Sequence, residues 1–114
     1  MIMNNDQTIC KVDEYGNKHW LLNGKCHRED GPAIESANGS KYWYLNGKRH
    51  REDGPAMEYA NGDKLWYLNG LLHRVDGPAI EWADGYKSWW VDDEKIEVSD
   101  NDTFLRMINL KAFW

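Results

Sequence analysis

Short apolar and aromatic runs alternate with turn-forming breaks along this chain, and the breaks recur at a constant interval. Residues 16–38 read GNKHWLLNGKCHREDGPAIESAN, residues 39–61 read GSKYWYLNGKRHREDGPAMEYAN, and residues 62–84 read GDKLWYLNGLLHRVDGPAIEWAD. A fourth copy begins as GYKSWWVDDEKIEV at 85–98, and the copies align without gaps. All ten glycines fall in three columns, headed by Gly16, Gly24 and Gly31. The prolines share one column (Pro32, Pro55, Pro78), as do Trp20, Trp43, Trp66 and Trp89. A fixed period of this length marks an array in which each unit packs on its neighbours.

The unit reads as strands. Asn-Gly recurs at both ends of the aromatic runs of the second and third repeats, as in Asn38-Gly39 and Asn46-Gly47. That dipeptide between β-forming residues favours a two-residue hairpin turn with positive φ at both centres. Proline in Asp53-Gly54-Pro55 cannot donate to a ladder and marks a bend or a strand start. If both Asn-Gly turns have two residues, Ile34 lies opposite Trp43 and Trp43 opposite His50, a row that recurs as Met57, Trp66, His73 and begins again as Ile80, Trp89. Directly opposed residues share a face, so this row is the expected core. Glu35, Tyr42 and Arg51 then form one row of the other face, and Ala33, Tyr44 and Arg49 the next. A bulge would shift the rows by one residue and exchange the faces.

The pattern changes after residue 98. Ser99-Asp100-Asn101-Asp102 is a helix-start signal, and Phe104, Leu105, Ile108 and Phe113 follow at helical spacing. An array leaves its last unit bare and needs a cap. The expected architecture is therefore mainly β: an elongated antiparallel sheet of tandem 23-residue hairpin repeats with a C-terminal capping α-helix. It forms one domain, with an N-terminal strand or cap over 1–15, full repeats at 16–38, 39–61 and 62–84, a partial repeat at 85–98 and the helix at 99–114.

Composition narrows the function. Seven Trp and six Tyr against two Phe give a small chain of 114 residues much buriable area per side chain. The net charge of -5 and pI of 5.3 argue against a nucleic-acid partner, which calls for a basic stripe, and against adhesion to anionic lipid. Mean hydropathy is -0.83, and no run is long enough to span a membrane. Cys10 and Cys26 match no metal motif, and with no secretory leader they point to a reducing cytoplasm.

Columns of His27, His50, His73 and of Asp30, Asp53, Asp76 invite a metal or catalytic reading. With two strands per unit, equivalent histidines stand roughly 10 Å apart, too far for one ion to bridge. The expected role is structural, each imidazole lying beside a Trp and donating to a local carboxylate or carbonyl. Arg28, Arg51 and Arg74 are expected to pair with Glu35, Glu58, Glu81 or a nearby Asp rather than with phosphate. No nucleophile–base pair, phosphate loop or zinc spacing is present; the expectation is a non-enzyme without cofactor or metal. Recognition should use the columns that vary between units: His19, Tyr42, Leu65, Ser88; Leu21, Tyr44, Tyr67, Trp90; and Cys26, Arg49, Leu72. Tyr42, Tyr44, Arg49, Arg51, Tyr67 and Trp90 are the candidate binding residues, since aromatics and Arg dominate binding hot spots.

The period, the Trp followed by an Asn-Gly-Lys turn and the second Asn-Gly resemble the MORN repeat. LNGKRHREDGPA at 45–56 is similar to a variant of that repeat seen mostly in uncharacterised bacterial and phage proteins. The resemblance spans roughly 16–97. It implies hairpins stacked into an elongated curved sheet and a role in scaffolding or dimerisation. Lipid binding, another role of such arrays, sits poorly with an acidic chain. The expected function is a non-catalytic scaffold that binds a protein partner, with a phage-type inhibitor of a host or defence protein as the sharper form and a homodimer as a second arrangement. The alternative is a small-ligand sponge or sensor, in which Tyr42 and Arg51 hold a nucleotide-like molecule by stacking and charge. An acidic mimic of nucleic acid is a further alternative.

Overall fold

The computed structural model describes residues 8–111. Nine strands lie side by side in chain order: Ile9–Val12, Lys18–Leu22, Ile34–Glu35, Lys41–Tyr42, Met57–Glu58, Lys64–Leu65, Ile80–Glu81, Lys87–Val91 and Glu94–Ile96. Lys25–Cys26 pairs with Lys18–Leu22 and completes a ten-stranded antiparallel sheet. Two hairpins branch from it: Tyr44–Leu45 with Lys48–Arg49, and Tyr67–Leu68 with Leu71–Leu72. Main-chain bonds stitch each hairpin to the next unit, as in Gly47 N–H to Cys26 C=O at 2.8 Å and Gly70 N–H to Arg49 C=O at 2.8 Å. The molecule measures 49 × 37 × 18 Å. A body this thin keeps most side chains near solvent; Ala33, Ala56 and Ala79 are fully closed, and Phe104 is the large side chain that joins them.

The two Asn-Gly columns build different turns. At Asn46-Gly47 both residues are left-handed, with φ of 52° and 80°, the two-residue hairpin turn that was expected. At Asn38-Gly39 only the glycine is, with φ of 96°. There Ser36 N–H bonds Ser40 C=O at 2.8 Å and Gly39 N–H bonds Ser36 C=O at 3.0 Å, enclosing three residues as a turn with a glycine bulge. That extra residue corrects the expected register. Ile34 lies opposite Tyr42, and Tyr42 opposite Met57, so Ile34 and Trp43 are on opposite faces. The second half of the unit keeps its expected pairing, with Tyr44 opposite Arg49 and His50 N–H bonded to Trp43 C=O.

The repeated side chains consume one another. The Arg51 guanidinium lies 3.8 Å over the Trp43 ring. Its Nε donates to Asp53 at 3.1 Å, and its Nη1 to the Pro55 carbonyl at 3.1 Å and to Glu58 at 3.0 Å. Arg28 over Trp20 and Arg74 over Trp66 repeat the arrangement. The glycine before each proline makes room for it: a Cβ on Gly54 would stand 2.8 Å from Arg51 Cζ. The expected Arg–Glu pairing is present, and the Asp pairing with it.

Each histidine of the repeated column, His27, His50 and His73, joins two units. His50 Nδ1 accepts the N–H of Asn69 in the next turn at 2.9 Å, and Nε2 faces Glu52 at 3.4 Å. An imidazole accepting on Nδ1 carries its proton on Nε2. His27 and His73 likewise accept from Asn46 and Asp92.

In the last unit Glu97 and Asp100 stand where the earlier units have Arg and Gly. The helix Asn101–Lys111 replaces that support. Asp100 caps it by accepting the Thr103 N–H at 2.7 Å, and that bond holds its carboxyl below the usual range. Trp89 meets Phe104 at 6.4 Å between centroids and donates to Asn101 at 3.0 Å. Trp89 and Phe104 are both buried. Phe113, expected on the same helix, lies outside the described residues. No described helix is long and apolar enough to cross a membrane.

Candidate interaction face

Because strand neighbours point to opposite sides, the register sorts the side chains into two populations. One row across the sheet reads Lys18, Glu35, Lys41, Glu58, Lys64, Glu81, Lys87. It shares its side with the Trp–Arg stacks, since Glu58 bonds the Arg51 that lies on Trp43. The adjacent row reads His19, Ile34, Tyr42, Met57, Leu65, Ile80, Ser88. The opposed pairs Leu21–Cys26, Tyr44–Arg49, Tyr67–Leu72 and Trp90–Lys95 extend that second side. It holds no aspartate or glutamate in any of these register positions.

Four tyrosines and one arginine gather at its centre. Tyr42 and Tyr59 meet edge to face at 5.4 Å. Arg49 lies 5.1 Å from the Tyr67 ring centroid and donates to its hydroxyl at 3.3 Å. Bonding to Tyr44 first, and then the Tyr67 phenol, pushes the Arg49 guanidinium above its ordinary range against a smaller opposing effect of burial. Tyr59 is shifted up chiefly by desolvation and stays a neutral phenol at physiological pH. Tyr59 within this cluster, and Trp82 and Tyr86 outside it, remain exposed.

Of the expected binding residues, Tyr42, Tyr44, Arg49 and Tyr67 come together here. Trp90 shares the side one unit further on, where its indole donates to Ser88 at 2.9 Å. Arg51 does not join them, being committed to Trp43, Asp53 and Glu58 on the other side. Tyr42 and Arg51, expected to share a row and to grip a nucleotide, therefore stand on opposite faces. The Ser36, Tyr59, Trp82 column was missed. It varies between units as the recognised columns do, but it shares a side with Ile34, Met57 and Ile80, which the assumed register took for the core.

Clefts also open between neighbouring units on the Trp–Arg side. One of them, of about 550 Å³, is walled by Trp43, Leu45, His50 and the 28–31 and 51–53 segments. Its arginines and histidine already carry the internal bonds described above. Among the described residues no group of three His, Cys, Asp or Glu side chains could hold a metal ion. Compared with protein-family models, curated proteins and solved structures, the chain matches none.

Proposed function

We propose that this chain is a non-catalytic, MORN-like repeat scaffold that binds a protein partner through the tyrosine-rich side of its sheet. The carrying observation is a division of labour between columns. Residues that repeat in every full unit (Trp, His, Arg, Asp, Gly) bond one another, whereas residues that vary project together on the opposite side. Tyrosine and arginine in a half-exposed cluster have the composition of interface hot spots, and a broad sheet face suits a protein surface. The free thiols Cys10 and Cys26 accord with a reducing compartment, so we place the protein in the cytoplasm.

Leu65 and Lys64 are strand neighbours on opposite sides and provide the test. A photo-crosslinking residue is placed at either position and the protein is exposed to bacterial lysate. A discrete protein adduct should form from position 65, be absent from position 64, and disappear when Tyr44 and Tyr67 are both changed to Ala. Equal labelling from the two positions, or none from position 65, contradicts the proposal.

A further inference from the structure

The arginines of this fold divide by what neutralises them. Arg28, Arg51 and Arg74 each bond an Asp and a Glu at 2.9–3.2 Å. Arg49, only two residues from Arg51, has no carboxylate within ion-pair distance among the described residues. Its neighbours are phenol groups, which accept one bond and keep their own hydroxyl protons to donate.

Its wider surroundings carry the same sign. In a chain of net charge -5, the opposed positions of this side bear Lys11, Arg49 and Lys95 and no acid. Asp63, at the end of the neighbouring loop, is already occupied by the Ala83 N–H at 2.6 Å. Glu35, Glu58 and Glu81 lie instead on the opposite face, with the aspartates that bond Arg28, Arg51 and Arg74.

Resting on the proposed protein-binding role, we infer that Arg49 is the polar anchor of the tyrosine face and that the partner segment it receives is acidic. A carboxylate of that segment docks on the Arg49 guanidinium beside the Tyr44 and Tyr67 hydroxyls. Apolar side chains flanking it lie on Tyr42 and Tyr59. Guanidinium and carboxylate match as a charge-assisted pair, and the phenols supply further donors. Like-charged partners are repelled by the same field, so the face selects as well as binds.

The probe is a displayed library of random 12-residue peptides, panned on the full chain and, in parallel, on Arg49→Gln. Peptides enriched on the wild type should carry Asp or Glu beside an aromatic or aliphatic residue. Their affinity should fall about tenfold with Arg49→Gln, the loss of one good charged contact, and should weaken with added salt. Tyr67→Phe should give a smaller loss, and the melting temperature of Arg49→Gln should match the wild type, separating recognition from folding. Enriched peptides that are neutral or basic, or that bind Arg49→Gln equally well, overturn the acidic-partner inference and leave the scaffold reading standing. A library that yields no binder counts against both.

Discussion

Arg49 and Arg51 sit two residues apart in the same unit and live in opposite chemistry. Arg51 is pressed between an indole and a glycine, with two carboxylates and a carbonyl completing its bonds; its side chain is 22% exposed. Arg49 is exposed on the other side among tyrosines and meets no carboxylate among the described residues. The contrast teaches how a thin repeat manages stability and variation at once. One side spends its polar groups on each other, so its residues cannot change without a partner changing. The other is left with side chains whose neighbours impose little, and there the units differ.

The largest effect should come from testing the two sides at adjacent positions. Trp89 is 5% exposed against Phe104, so Trp89→Ala should cost about 3–5 kcal/mol. Trp90, half-buried on the tyrosine side, should cost under about 1.5 kcal/mol when cut to Ala. Urea unfolding of both variants measures this, and similar losses would erase the distinction between the sides.

A smaller effect sharpens the account of the Trp–Arg stack. Gly54→Ala should destabilise by about 1–2 kcal/mol, because its Cβ would displace the guanidinium from the indole. In an Arg51→Ala background the same change should cost almost nothing. A double-mutant cycle in which the two losses simply add would show that the glycine serves something else.

The smallest effect concerns the first turn. Tyr15 stands where Asn38 and Asn61 close the later loops, and Asp13 takes over by accepting the Tyr15 and Asn17 N–H groups. Bonding to the Asn17 side chain is the leading cause that brings the Asp13 carboxyl down from 3.8 to about 2. A folded pKa below the unfolded one stabilises the fold above pH ~4, and that contribution fades as pH falls towards 2. Carboxyl NMR should show Asp13 titrating near 2 and moving up towards 3.8 in Asn17→Ala; an unchanged midpoint would refute the assigned cause.

Much of this was legible in the sequence, for identifiable reasons. Scarce residues in lockstep revealed the unit, Asn46-Gly47 its hairpin, and the Asp100 region its cap. The Arg–Glu pairing could be anticipated because donor and acceptor recur together. The face of Trp43 relative to Ile34 could not, because the same dipeptide serves two turn geometries. At Asn38-Gly39 the loop takes one more residue, closed by Asn38 accepting the Ser40 N–H. One residue of slip reverses a face, which is why the Tyr59 column, on the side of Met57, was passed over. Arg51 was grouped with Tyr42 because strand alternation was carried through residues 50–51, where the chain has left the ladder and the guanidinium lies on Trp43. Tyr44 opposite Arg49 was foreseen because the turn between them is the two-residue kind.

The division between the sides is tested most directly by unfolding Arg51→Gln and Arg49→Gln in urea, side by side. Arg51→Gln should lose about 2–3 kcal/mol, combining a cation–π contact with charged hydrogen bonds. Arg49→Gln should stay within about 0.5 kcal/mol of the wild type, as surface changes do. If Arg49→Gln proves the more damaging, the tyrosine side is holding the fold and is not free to recognise a partner.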